Sequence, residues 1–388
     1  MFLFWILDSD FWILLLLMRI AILGTRGVPA SYGGFETFAE HLSTRLVRRG
    51  HDVTVYCRAH YVSPRQIEYH GVRLKVLPTI RHKYFDTVVH TFLSTLYAAP
   101  ARYDAALICN AANALFAPIL RLAGTPVAVN VDGLEHKRKK WNWLGRNYYR
   151  LAERLATFFP NEIVTDAHVI QEYYMARYNA PSTMIAYGAE VPPNDGAASQ
   201  AVGLPSKQFI LYVSRLEPEN NPELLLDAYR RVQTDWPLVI VGGNAYEAAY
   251  VAHLKSLADG RVIFLGPVYG NGYWQLLQEA GLYVFACEVG GVHPALIEAM
   301  AAQKPVLYLD TPENRETAGN AGMPFRADSA DLAAGISRLL RDANLRQELS
   351  RKAHERAARV FGWEETIQKY ESVFSELLAK NGRPSSRR

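Results

Sequence analysis

The sequence is poor in cysteine, in long apolar runs and in excess charge, and each shortage excludes a class of protein. Its 388 residues contain three cysteines, Cys57, Cys109 and Cys287, which have neither disulfide-framework nor zinc-ligand spacing. We therefore expect a reducing compartment and predict no metal site. The formal net charge of +4 is too small to indicate a nucleic acid as a partner.

The first 17 residues are apolar, but two aspartates, Asp8 and Asp10, interrupt them. The segment has neither the basic start nor the small-residue cleavage site of a signal peptide. It is also too short and too charged for a transmembrane helix. We interpret residues 1–17 as an over-called start that precedes Met18, and a segment that dips weakly into a membrane is the alternative.

After Met18 the sequence alternates strand-like and helix-like segments. Short runs that are apolar on both faces, such as Arg19–Leu23, are typical of parallel strands covered by helices. A stretch rich in Pro, Gly and Ser at 191–206 interrupts the alternation and indicates a linker. We predict an α/β protein with two doubly wound, Rossmann-like domains that face each other across a cleft. The predicted parts are domains at 18–190 and 207–360, a final helix at 361–380 and a disordered tail at 381–388.

Ligands of open α/β sheets bind outside the carboxyl ends of the strands, so residues at strand ends are the candidates for a site. The first strand runs into G-T-R-G-V-P-A-S-Y-G-G-F-E at 24–36. Gly33 and Gly34 allow the backbone to approach a ligand closely, and Arg26 can hold a phosphate with its planar fork of donors. The spacing is not G-x-G-x-x-G, so no dinucleotide cofactor is predicted.

A second candidate, Asp132, follows the fifth strand in N-V-D-G-L-E-H-K-R-K-K-W-N-W at 130–143. Its carboxylate can act as a base, bind a sugar hydroxyl, or close an Asx-turn onto its own backbone. The basic run at 137–140 lies beside Trp141 and Trp143. It is either a solvated face or a contact for anionic lipid or for a pyrophosphate group.

The third candidate stretch is E-V-G-G-V-H-P-A-L-I-E-A-M at 288–300. Gly290 and Gly291 precede the start of a predicted helix, where backbone N–H groups and the helix dipole favour a phosphate. Glu298 can take two ribose hydroxyls, or it is a surface glutamate. We expect Glu288 and His293 to lie near the transferred group.

Arg215 ends the first strand of the predicted second domain and faces the cleft. It is a candidate clamp for a diphosphate, because a guanidinium binds phosphate oxygens in pairs. The alternative is a surface arginine that pairs with Glu217 or Glu219.

Together these motifs resemble family 4 retaining glycosyltransferases, and more narrowly the bacterial subgroup with a rhamnosyltransferase-type N-terminal domain. The resemblance extends from Met18 to about residue 379. It implies a GT-B architecture whose last helix crosses back to the first domain, and a metal-independent reaction. A nucleotide-diphospho-sugar would donate a hexose, such as rhamnose, to a lipid-linked saccharide acceptor. The products would be capsule, exopolysaccharide or O-antigen chains.

The resemblance also implies roles for individual residues. Arg215 would hold the diphosphate, Glu298 the ribose, and Asp132 the acceptor hydroxyl. The family's second diphosphate cation, a lysine, is missing, and Asn220 and Asn221 stand in its place. The family's first glutamate is shifted by two residues, to Glu288.

We expect a cytoplasmic enzyme that is peripheral on the inner face of the cytoplasmic membrane and contacts anionic lipid. One alternative is a non-catalytic nucleotide- or sugar-binding partner of an assembly complex. The other is a nucleotide-sugar epimerase or hydrolase of the same fold.

Overall fold

The computed structural model describes residues 17–30, 33–82, 85–193, 203–244 and 248–381. The predicted leader and tail, apart from Leu17 and Asn381, and most of the predicted linker lie outside the described residues. The strands are β1 (Arg19–Leu23), β2 (Asp52–Arg58), β3 (Glu68–Tyr69), β4 (Val72–Leu77), β5 (Ala105–Cys109), β6 (Val127–Asn130), β7 (Glu162–Thr165), β8 (Thr183–Met184), β9 (Ile210–Val213), β10 (Leu238–Val241), β11 (Val262–Gly266), β12 (Leu282–Phe285), β13 (Val306–Leu309) and β14 (Met323–Phe325). The helices are α1 (Gly34–Arg48), α2 (Phe85–Ala98), α3 (Ala117–Leu122), α4 (Trp143–Leu155), α5 (His168–Tyr178), α6 (Pro222–Arg230), α7 (Ala248–Leu257), α8 (Gly270–Glu279), α9 (Pro294–Ala301), α10 (Pro312–Ala318), α11 (Ser329–Arg341), α12 (Ala343–Val360) and α13 (Trp363–Lys380).

The first sheet has eight strands in the order β3-β4-β2-β1-β5-β6-β7-β8. Its neighbouring strands are parallel except for β3 and β4. The chain begins in the middle at β1, where Ile20 and Ile22 are fully buried, and winds outward in both directions. In a sheet of this kind a crevice opens where the winding reverses, here beyond the ends of β1 and β5.

The second sheet has six parallel strands in the order β11-β10-β9-β12-β13-β14. Its winding reverses between β9 and β12, so the loops after these two strands open the second crevice. Arg215 lies in the loop after β9, and Gly290 lies in the loop after β12. The α/β fold with two doubly wound domains is therefore confirmed, whereas the exact domain boundaries stay predictions.

Three local features differ from the sequence-based expectation. β3 is a two-residue antiparallel strand, and no apolar run in the sequence predicts it. β14 contains Pro324, which is compatible with a strand here because β14 lies at the edge of its sheet. A 3₁₀ turn, Ala111–Phe116, leads directly into α3, so this segment is not one continuous α-helix. Pro118 lies in the first turn of α3, where its missing N–H group costs nothing.

The final helix, α13, packs on the N-terminal domain, as predicted. The hydroxyl of Tyr370 accepts a hydrogen bond from Asn130 Nδ2 at 2.8 Å, at the end of β6. At the start of α13 the ring of Trp363 stacks on His41, with centroids 4.8 Å apart. A Cβ atom on Gly188 would lie 2.5 Å from the Trp363 ring, so this crossing requires a glycine at 188.

Candidate functional site

A cavity of about 1430 Å³ lies between the two sheets and is lined by residues from both domains. It opens where the carboxyl ends of β1 and β6 face those of β9 and β12. Eight of the ten predicted site residues line it, namely Arg26, Gly33, Gly34, Asp132, Arg215, Gly290, His293 and Glu298. Glu288 and Gly291 do not line it.

On the N-terminal side, the glycine-rich loop leads into α1. Gly33 precedes the first residue of α1 in an extended conformation. A Cβ atom on Gly34 would lie 3.1 Å from Pro294 Cγ, so the starts of α1 and α9 approach each other across the cavity. Arg26 is fixed by Glu36, whose carboxylate accepts its backbone N–H at 2.9 Å and lies 3.7 Å from its guanidinium.

Asp132 is half-buried and interacts with a second carboxyl group. Its partner is Asp166, which follows β7 and is fully buried. Burial, and then the charge of Asp132, raises the pKa of Asp166 well above its usual range. Burial likewise raises the pKa of Asp132, although Arg138 opposes it. Burial and the proximity of the two carboxyl groups therefore disfavour a second negative charge in this pair. The Asx-type bond in this turn is made by Asn130, whose Oδ1 accepts the Asp132 N–H at 3.1 Å.

Asp166 also binds the glycine loop of the other domain. Its Oδ2 accepts the backbone N–H of Val292 at 2.9 Å. Gly291 is required for this approach, because a Cβ atom there would lie 1.9 Å from Asp166 Oδ1. Similarly, a Cβ atom on Gly133 would lie 2.4 Å from the Cα of Gly290. The two domains therefore touch backbone to backbone beside the cavity.

His293 is the residue just before α9, and its ring lies against Phe285 with centroids 4.9 Å apart. Gly290 lies directly over the ring, because a Cβ atom there would come within 2.1 Å of His293 Cε1. Burial, and then the charges of Arg138 and Arg215, lowers the pKa of His293 to about 3. The imidazole is therefore neutral at physiological pH.

Glu298 lies in the second turn of α9 and is 8% exposed to solvent. The hydroxyl of Tyr273 donates a hydrogen bond to its Oε2. Burial raises the pKa of Glu298 to about 7, although the Tyr273 bond lowers it. The alternative of a surface glutamate is wrong, because Glu298 is buried and lines the cavity.

Arg215 faces the cavity and also forms the ion pair that we considered as its alternative. Its Nη2 lies 3.6 Å from Glu217 Oε2. Burial alone would raise the pKa of Glu217, but Arg215, and after it Lys140, lower it to about 2. Glu217 is therefore a carboxylate at neutral pH.

Glu288 lies outside the cavity lining, which differs from our expectation that it lies near the transferred group. Its Oε1 accepts hydrogen bonds from Lys139 Nζ at 2.8 Å and from Asn221 Nδ2 at 3.0 Å. Lys139 belongs to the N-terminal domain, so Glu288 joins the two domains here. A catalytic role for Glu288 remains a prediction.

Sequence reasoning did not single out Asp166 or Tyr273, and it considered Lys140 only as part of the basic run at 137–140. Asp166 directly follows β7, and this strand-end position was the available signal. Tyr273 lies on α8 and Lys140 in a basic run that is ordinarily solvated. Their positions in the site depend on contacts with distant residues, which no local pattern reveals.

Comparisons with known proteins agree with this geometry. Residues 197–356 match the family of glycosyl transferases group 1, and residues 17–190 match a domain of unknown function, DUF1972. One curated relative is an N-acetylgalactosamine-N,N'-diacetylbacillosaminyl-diphospho-undecaprenol 4-alpha-N-acetylgalactosaminyltransferase from Campylobacter jejuni. It is 31% identical over 155 residues, which are 39% of this chain and 42% of that protein. The chain thus spans less than half the length of this relative.

Solved structures share the whole fold. Sucrose-phosphate synthase from Thermosynechococcus elongatus has a TM-score of 0.79 at 19% identity, over 93% of this chain and 99% of that one. HepE of Anabaena, in complex with UDP-glucose, has a TM-score of 0.76 at 19% identity, over 92% of this chain and 100% of that one. The fold is therefore GT-B, and residues 197–356 are similar to the glycosyl transferases group 1 family.

Proposed function

We propose that this protein is a retaining glycosyltransferase that moves a sugar from a nucleotide-diphospho-sugar to a saccharide acceptor in bacterial surface-polysaccharide assembly. The observation that carries the proposal is the cavity, into which Arg215, Glu298 and the start of α9 converge from one domain and Asp132 from the other. The group 1 family of residues 197–356 supports the same reaction class.

On the donor side, departure of the nucleoside diphosphate leaves negative charge on its oxygen. Arg215 and the backbone N–H groups at the start of α9 stabilise this charge most when it is greatest, in the transition state. In other transferases a metal ion stabilises this negative charge, and here the guanidinium and the N–H groups would do so. Glu298 accepts the two ribose hydroxyls, for which a buried carboxylate that already has one donor, Tyr273, is well suited.

On the acceptor side, Asp132 orients the attacking hydroxyl. The acceptor oxygen forms its bond to the sugar carbon on the face that the diphosphate leaves, so the configuration is retained. The hydroxyl proton passes to the departing diphosphate oxygen. The carboxyl pair of Asp132 and Asp166 keeps Asp132 in place.

The acceptor is proposed to be lipid-linked and the protein to bind the surface of an anionic membrane through α4. This helix exposes Trp143 by 73% and Leu144 by 67%, and Arg146, Arg150 and Arg154 are exposed farther along it. Apolar and cationic side chains on one helix face are typical of an interfacial contact with anionic lipid. In the part of the chain that the structure describes, no helix is long and apolar enough to cross a membrane. The Campylobacter relative, whose name contains diphospho-undecaprenol, supports a lipid-linked acceptor.

The membrane contact is tested by sedimentation with vesicles that contain phosphatidylglycerol. We expect the double variant Trp143→Ser, Leu144→Ser to lose binding. Val360→Ser, which changes an exposed apolar residue at the end of α12, should bind as the wild type does. Equal binding of both variants would contradict the assignment to α4.

The donor site is tested by calorimetric titration of the full chain with UDP, GDP, ADP and dTDP. Transfer assays then follow, with dTDP-rhamnose as the first donor. Arg215→Ala and Glu298→Ala should each weaken binding at least tenfold, whereas Arg315→Ala, an exposed arginine paired with Asp310, should not. Binding without transfer or hydrolysis of any nucleotide sugar would favour the non-catalytic partner. No binding of any nucleotide would refute the proposal.

A further inference from the structure

The structure divides the basic run at 137–140 into residues with different surroundings. Arg138 is 5% exposed and donates to Glu135. Lys139 points outward to Glu288. Lys140 instead turns into the cavity, where its side chain is 15% exposed and its Nζ lies 3.3 Å from Glu217 Oε1. The run is therefore not a uniformly solvated face, and Lys140 is a nearly buried cation of the N-terminal domain.

One carboxylate, that of Glu217, lies between cations from opposite domains. Lys140 approaches its Oε1, and Arg215 approaches its Oε2 at 3.6 Å. Both cations also line the cavity. An internal carboxylate that bridges two cavity-lining cations occupies the kind of position that an anionic ligand group takes.

The turn after Arg215 supplies no second cation of its own. Asn220 uses its side-chain amide to donate to the Arg215 carbonyl at 2.7 Å. Asn221 donates to the carbonyl of Ala286 at 2.9 Å. The two amides are therefore engaged with backbone carbonyls. A second cation close to Arg215 comes from the other domain, since Lys140 pairs with the same carboxylate, that of Glu217.

We propose that Lys140 is a ligand of the donor diphosphate, so that this site is completed by the N-terminal domain and bridges the two domains. The inference rests on the proposed function, since it assigns a further residue to the donor site. A diphosphate bound between Lys140 and Arg215 would hold the two domains together. Donor binding would thereby favour the closed arrangement that Asp166 and the glycine loop already form.

The charges around Lys140 agree with such a role. Burial, and then the charge of Arg215, lowers the pKa of Lys140 to about 8. Arg138 acts in the same direction, whereas Glu135 and Glu217 oppose it. A bound diphosphate adds negative charge and favours the protonated lysine. Binding should therefore weaken as the pH rises above about 8, because a proton must then be taken up with the ligand.

The test uses calorimetry on the full chain with whichever of UDP, GDP, ADP and dTDP binds the wild type, and with its monophosphate. Lys140→Met should weaken diphosphate binding by about 10- to 100-fold, the effect of one charged hydrogen bond, and monophosphate binding much less. Lys140→Arg should bind the diphosphate as tightly as the wild type does. Its affinity should also stay constant between pH 7 and 9.5, where that of the wild type falls. Lys137→Met, an exposed lysine of the same run, is the matched control.

The outcomes separate this inference from the proposed function. If the wild type and Lys140→Met bind the diphosphate within twofold of each other, the role of Lys140 is wrong while the donor site stands. Equal losses for diphosphate and monophosphate would indicate a merely structural role and would also overturn it. If the wild type binds no nucleotide, the proposed function and the inference both fail.

Discussion

Replacement of Gly291 by alanine should open the contact between the two domains. The new Cβ atom would lie 1.9 Å from Asp166 Oδ1 and 2.4 Å from Asp166 Cγ, whereas real Cβ contacts stay beyond 3.0 Å. The loop or the carboxyl group must therefore move by about 1 Å or more. Either movement breaks the 2.9 Å hydrogen bond from Val292 to Asp166. An unpaired buried donor costs about 1–3 kcal/mol and overpacking a similar amount, so we expect the free energy of unfolding to fall by about 2–6 kcal/mol.

The measurement is the urea unfolding midpoint of the full chain, together with the rate of sugar transfer. Gly260→Ala is the matched control, since a Cβ atom there meets nothing within 4 Å. If the collision with Asp166 is the cause, Gly291→Ala combined with Asp166→Ala should be no less stable than Asp166→Ala alone. Additive losses in this cycle, or a midpoint for Gly291→Ala equal to that of Gly260→Ala, would refute the reasoning.

Three further predictions concern single residues. Burial raises the pKa of Glu298 from 4.5, its value in the unfolded chain, to about 7. Its contribution to the free energy of unfolding is therefore complete below about pH 4.5 and is lost as the pH rises through 7. Glu298→Gln should therefore flatten the fall of the urea midpoint between pH 5 and 8 while weakening nucleotide binding, and an unchanged fall would contradict this. His293 is neutral above about pH 3, so His293→Asn should leave both limbs of the pH–rate profile between pH 5 and 9 in place, and loss of a limb would show that the histidine titrates there. Gly188→Ala, which places a Cβ atom 2.5 Å from the Trp363 ring, should lower the urea midpoint more than Arg49→Ala. Arg49→Ala removes ion pairs to Glu364 and Glu371, and partly exposed pairs contribute about 0–1 kcal/mol each. A lower urea midpoint for Arg49→Ala than for Gly188→Ala would contradict the packing argument for α13.

The fold could be predicted from the sequence because parallel strands covered by helices leave a local pattern. β1 has the bounds that the sequence predicts, Arg19–Leu23, and β10 coincides with its apolar run. The candidate residues could be found for a related reason: in such sheets the carboxyl ends of strands define the site. Arg26, Asp132 and Arg215 were chosen by that rule, and all three line the cavity.

The rest of the site depends on distances between residues far apart in the chain. Asp166 and Val292 are separated by 126 positions, and Lys140 and Glu217 by 77. No periodicity links such pairs, because their contact is set by the placement of one domain against the other. For the same reason the sequence placed Glu288 near the transferred group, while the structure directs its carboxylate to Lys139.

At the domain boundary, carboxylates lie between the cations that the two domains contribute. Arg138 lies against Glu135, and Glu217 lies between Lys140 and Arg215. Internal carboxylates thus compensate the cations that would otherwise repel each other across the cleft. A diphosphate that enters this site must exchange partners with Glu217 and does not fill an unpaired positive pocket. The affinity for it is then the difference between two sets of ion pairs, so Glu217, which pairs with both cations, limits how tightly the proposed donor is held.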